Sequence, residues 1–231
     1  DSATGEREPL AWTLVQLGKL YFARGHAAAA ADQYATALRV FPGYPYGLDA
    51  LAQARAAQGR LREAIALERR AVQAIPLPQY VGQLGDLLHV AGHDRAAQRQ
   101  YALIGAIERL LVANGVRTDL ETALFDVDHA VRLPHALALA RVARRERPSI
   151  DGDDVLAWAL ERTGRCDEAL RYSKLALRLG TKDALKFFHR AMIERCLGDG
   201  TAARSWFERT LRLNRRFSLV DSGALTDTGP R

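Results

Sequence analysis

The chain is short of several things, and each shortage excludes something. It has two cysteines among 231 residues, too few for a disulfide-built scaffold and without the spacing of zinc ligands. No stretch approaches the roughly 18 consecutive apolar residues of a membrane-crossing helix. Lysine occurs only at Lys19, Lys174, Lys182 and Lys186, so the other basic residues, of 33, are arginine. With 27 acids the net charge is +6, too mild and too dispersed to imply a nucleic-acid partner. The arginine and alanine bias points to a GC-rich bacterial genome. There is no Gly-x-Gly-x-x-Gly, no P-loop, no His-Glu-x-x-His and no nucleophile elbow. No enzyme activity and no cofactor are therefore expected. What remains, 48% hydrophobic and 26% charged, is neither disordered nor membrane-embedded in bulk.

Repetition is what the sequence does have. Ala30, Ala64, Ala97, Ala136, Ala169 and Ala203 recur at intervals of 34, 33, 39, 33 and 34 residues. Five of them follow a glycine by five residues: Gly25, Gly59, Gly92, Gly164 and Gly198. The fourth has Val131 there. Four residues after each alanine stand Tyr34, Glu68, Tyr101, Ala140, Ser173 and Phe207. Glycine permits the positive φ at which one helix ends. Alanine lets the next helix approach closely, and Pro42, Pro76 and Pro148 fall where that second helix should stop. A lone helix pair cannot bury its apolar face, so stacked neighbours must close the core. The longer third interval reads as a lengthened helix plus a loop near Asn114-Gly115. Pro134 suits the first turn of a helix.

These units resemble the tetratricopeptide repeat. The Leu-Gly-x-x-Tyr of that family appears as Leu17, Gly18 and Tyr21, and is echoed by Leu84 and Gly85. The resemblance implies an all-α, right-handed superhelical solenoid of about six helix–turn–helix repeats. They begin near 11, 45, 78, 117, 150 and 184 and span 11–216. Residues 1–10 would be an N-terminal extension and 217–231 a flexible C-terminal tail. Gln79–Ala130, Asp154–Leu160 and Leu179–Ala184 look like exported tetratricopeptide-repeat proteins of actinobacteria, which favours an exported location over a cytoplasmic one.

The resemblance also implies a concave groove lined by the first helix of each repeat. Its positions fall at i, i+4 and i+7, on one helical face. The groove would comprise Val15, Lys19, Phe22, Asp49, Gln53, Ala56, Gly82, Asp86, His89, Glu121, Phe125, Asp128, Asp154, Trp158, Glu161, Phe188, Met192 and Arg195. Asp49, Asp86, Glu121, Asp128, Asp154 and Glu161 outnumber Lys19 and Arg195, so this face is acidic on a basic protein. It should hold a basic or apolar segment of a partner protein, with Phe125, Trp158 and Phe188 as apolar anchors. Lys19 stands without the partners that a carboxylate clamp needs. A second reading gathers Asp86, His89, Glu121, Asp128 and His129 around a divalent metal. A third is self-association through an uncapped C-terminal end. Antiparallel stacking sets Cys166 and Cys196 on one side in adjacent layers. That allows a disulfide if their Cα atoms come within about 7 Å, or else two small buried contacts. Asp151, Asp153 and Asp154 imitate a calcium loop without its later Gly and Glu, and suit helix capping better.

Overall fold

The computed structural model describes residues 2–219, with side chains from Arg7 onward. Among the described residues there are twelve α-helices and no strand. They run in six pairs: α1 (Ser2–Ala23) with α2 (Ala27–Val40), α3 (Pro45–Ala57) with α4 (Leu61–Ala74), and α5 (Pro78–Val90) with α6 (Asp94–Ala113). Then follow α7 (Asp119–Asp128) with α8 (Leu133–Glu146), α9 (Ile150–Arg162) with α10 (Cys166–Ala176), and α11 (Ala184–Cys196) with α12 (Gly200–Leu213). This is an all-α helical-repeat fold. Residues 2–10, expected as an extension, are the first residues of α1. The long third interval is accounted for by α6, which has 20 residues where α2 and α4 have 14, and by the turn at Gly115.

The six recurring alanines are all buried, each on the second helix of its pair. A side chain of one carbon lets that helix settle against its neighbours, and a larger one would force them apart. Gly18 and Gly85 do the same on the first helix. A Cβ on Gly18 would lie 2.3 Å from the Tyr34 ring, and one on Gly85 2.2 Å from the Tyr101 ring.

Five of the turns within pairs share one construction. Gly25, in the left-handed region at φ 79°, donates its N–H to the Phe22 carbonyl, and His26 donates to that of Tyr21. Those two bonds satisfy the last carbonyls of α1. The fourth turn builds the same motif without glycine. There Ala130 takes φ 53°, Ala130 donates to Val127, and Val131 donates to Asp126. The turn residue is therefore Ala130, not the Val131 that alanine spacing indicated. One extra residue, Arg132 at φ 44°, enters before α8. Pro134 lies in the first turn of α8.

The chain divides into two compact units. The first holds α1 to α5, α6 as far as Arg109, and the stretch from Arg216 onward. The second runs from Leu110 to Arg215. Within the second, Cys166 at the start of α10 and Cys196 at the end of α11 form a disulfide, with Cα atoms 5.9 Å apart. No helix among the described residues is long and apolar enough to cross a membrane.

Candidate functional site

In the first unit, α3 and α5 carry a polar face. Asp49 is partly exposed and accepts hydrogen bonds from Gln53 Nε2, one turn on, at 3.2 and 3.3 Å. Gln83 Nε2, on α5, donates to Asp49 Oδ1 at 3.1 Å and to Glu68 Oε2 of α4 at 3.3 Å. Glu68 is wholly buried, and its other oxygen, Oε1, has no hydrogen-bond partner. Among the described residues neither carboxylate has an ion-pair partner; each is held only by glutamine amides.

The electrostatic consequence is large. Burial pushes the Asp49 carboxyl up to about 6, against the Gln53 hydrogen bond and the distant charge of Lys19. Burial and the charge of Asp49 push Glu68 up to about 9, although Gln83 opposes this. Tyr80, with its hydroxyl buried and unpartnered, borders the pair. Its phenol is raised by burial first, then by Asp49, Tyr46, Glu68 and Tyr44. Tyr46 lies edge-on to Tyr80 at 6.3 Å and tilted against Tyr44 at 5.3 Å.

Further along this unit, Tyr101 donates its hydroxyl to Asp86 at 2.7 Å, and exposed His89 pairs with Asp94 of α6 at 2.7 Å. Val15 and Gly82 are core residues, and Lys19 stands exposed. Basic side chains gather elsewhere than among the partners of Asp49. Arg69, His93, Arg95 and Arg99 border an open pocket at the start of α6.

An irregular stretch of the chain lies on the same unit. Arg216 donates from its guanidinium to the carbonyl of Ala57, at the last turn of α3. Leu219 packs on the apolar cluster of Ala52, Ala56, Leu84, Leu88 and their neighbours. Of the tail expected from 217, Leu219 has these apolar contacts, and residues 220–231 lie outside the described residues.

The second unit places its acids differently. Trp158 Nε1 of α9 donates to Asp128 Oδ1 of α7 at 2.8 Å. The Trp158 indole stacks on His189 of α11, centroids 4.6 Å apart and planes 13° from parallel. His189 Nδ1 lies 2.9 Å from Asp154 Oδ2, and both are buried. Arg162 sits over the Trp158 ring at 5.4 Å. Burial raises the Glu161 carboxyl, against the pull of Arg162, Arg195 and His189. Phe125 stacks on His129 at 4.1 Å. Exposed Arg195 and partly exposed Glu121 complete the positions on this side.

Three corrections follow. Trp158 is 2% exposed and Phe188 1%, and Met192 is buried as well. They belong to the core between first helices and do not present anchors to a partner. Asp128 and Asp154 are likewise taken up inside the fold, by an indole and an imidazole. Second, among the described residues no group of three or more His, Cys, Asp and Glu is gathered to hold a metal. Asp86 and His89 lie in one unit; Glu121, Asp128 and His129 lie in the other. Third, Asp153 is an internal ion-pair centre, bound by Arg144 at 3.0 Å and Arg178 at 2.6 Å. The cap of α9 is Ser149, which accepts from the Gly152 N–H. Gln83, Tyr80 and Glu68, which surround Asp49, are absent from the positions expected from the sequence. Glu68 had a visible signal, since it is an acid at the position where Tyr34, Tyr101 and Phe207 stand.

No family model and no curated protein matches the chain. Known structures do resemble it. A tetratricopeptide repeat protein from Parabacteroides merdae is 16% identical, with TM-score 0.46, over 89% of this chain and 80% of that one. PilW, described as a widely conserved type IV pilus biogenesis factor, is 16% identical with TM-score 0.48, over 94% of this chain and 98% of its own. PilF of Pseudomonas aeruginosa is 19% identical with TM-score 0.43, over 96% of this chain and all of its own, 100%.

Proposed function

We propose that the chain is a non-enzymatic scaffold that holds a peptide segment of a protein partner on the helices of its first unit. One observation carries this reading. An irregular stretch of the chain, Arg216 to Leu219, is itself seated there, through the Ala57 carbonyl and the apolar cluster around Leu84 and Leu88. That stretch is basic and apolar, the chemistry that the acids of the first unit call for. Helices that already have their final form spare the binder the cost of ordering. Likeness to the tetratricopeptide repeat, a family of binding modules, fits the same reading. The Cys166–Cys196 bond supports an oxidising, exported location.

The test is an array of peptides of graded charge, probed at low and physiological salt. The expected result is preference for peptides that combine basic and apolar residues, weakened by Asp49→Lys and left intact by Glu161→Lys. Equal indifference to every peptide overturns the reading. A second reading, self-association, is favoured by Leu10, Trp12 and Leu20, large apolar side chains exposed on α1. A monomer mass that does not change with concentration rejects it.

A further inference from the structure

The second repeat departs from the first and third at one buried position. Tyr34 and Tyr101 fill the space beside Gly18 and Gly85; at the equivalent positions of the second repeat stand Glu68 and Ala52. A tyrosine there would be core. A glutamate there is a wholly buried carboxyl. Buried carboxylates are ordinarily paired with a cation or fully hydrogen-bonded. Here Glu68 and Asp49 share the single amide of Gln83, Glu68 Oε1 has no partner, and the buried Tyr80 hydroxyl has none either. The fold thus supplies two acids, neutral donors and no counter-charge within ion-pair distance among the described residues.

The pair is not sealed off. Asp49 is partly exposed, and Tyr46, 43% exposed, stands beside Tyr80 with its ring available. An aromatic face next to a carboxylate attracts a cation twice over, through the ring quadrupole and through charge. We propose that Asp49, Glu68, Gln53, Gln83, Tyr46 and Tyr80 form a subsite for one cationic side chain, arginine or lysine, of the bound segment. This rests on the peptide-scaffold reading and deepens it. The cation completes the counter-charge that the fold leaves out. Its entry favours the ionised forms of both acids, so binding releases protons and tightens as pH rises from 6 to 8. The groups around the site are Lys19 on α1, Tyr34 on α2, Tyr46 and Asp49 on α3, Glu68 on α4 and Tyr80 on α5. Asp49 and Glu68 are held above the ordinary carboxylate range, and theirs are the protons the cation displaces.

The experiment uses the full chain and paired decapeptides that differ only in one arginine replaced by citrulline, its neutral isostere. Calorimetry in buffers of different ionisation heat reads affinity and proton release together. Each arginine peptide should bind at least tenfold tighter than its citrulline twin to the wild type, with proton release. In Asp49→Asn and in Glu68→Gln the difference should fall below threefold and the proton release should shrink. Should either variant fail to fold, the other gives the same comparison. Twins that bind equally well to the wild type overturn the subsite and leave the scaffold standing. So does discrimination that survives both variants. No binding by any peptide overturns scaffold and subsite alike.

Discussion

Glu68 and Ala130 are residues at which this chain works against its own fold. Glu68 holds its proton to about 9 when folded and releases it near the ordinary carboxylate range when unfolded. Between those values the folded state binds more protons, so stability falls as pH rises. It should therefore decline between pH 7 and 9, above the range of Asp49. Glu68→Gln should flatten that decline, as read from urea midpoints at the two pH values; an unchanged slope would place the effect elsewhere. Ala130 is exposed and sits in the left-handed region that costs a residue with a Cβ about 1 kcal/mol. Ala130→Gly relieves this at no loss of packing. It should raise the midpoint of thermal unfolding by a matching amount, while Gly164→Ala at an equivalent turn should lower it.

At the scale of the helix pair, much was legible beforehand, because a few small residues do the work. An alanine recurring at 33 or 34 residues in four of five intervals, and five after a glycine in five of six repeats, states where a helix ends and where its successor must come close. That requirement is local and leaves a trace in composition. The site left a poorer trace. Trp158 and Asp128 are 30 positions apart, and His189 and Asp154 35 apart. Helical spacing says that each lies on the inner side of its helix; it does not say that their partners lie on the adjacent repeat. Asp128, Asp154 and Trp158 thus read as surface when, together with His189, they form a network. Gly85 shows how close the helices come. Gly85→Ala sets a carbon against the Tyr101 ring and should destabilise by about 1–3 kcal/mol in chemical unfolding. Restoring room with Tyr101→Leu in the same chain should return part of that loss.

For the molecule as a whole, the disulfide is the one covalent tie between repeats. It closes a loop across a sequence separation of 30 residues, for which the chain-entropy account gives roughly 3–4 kcal/mol. Cys166→Ala with Cys196→Ala should lower stability by about that amount, measured by urea unfolding of the oxidised parent against the double variant. A reductant should reproduce the loss in the parent and do nothing to the variant.

The three tryptophans happen to sit in three different surroundings. Trp12, on α1, is 54% exposed; Trp158 is buried against an imidazole; Trp206 lies between the guanidinium groups of Arg190 and Arg209 at 5.3 and 4.5 Å. Fluorescence can therefore resolve the molecule by region without any added label. Iodide will dim the red-edge emission of Trp12 first, acrylamide will be needed to reach Trp158, and the arginines will draw the anionic quencher towards Trp206. A melting curve followed at two wavelengths becomes a report on α1 and on the second unit separately.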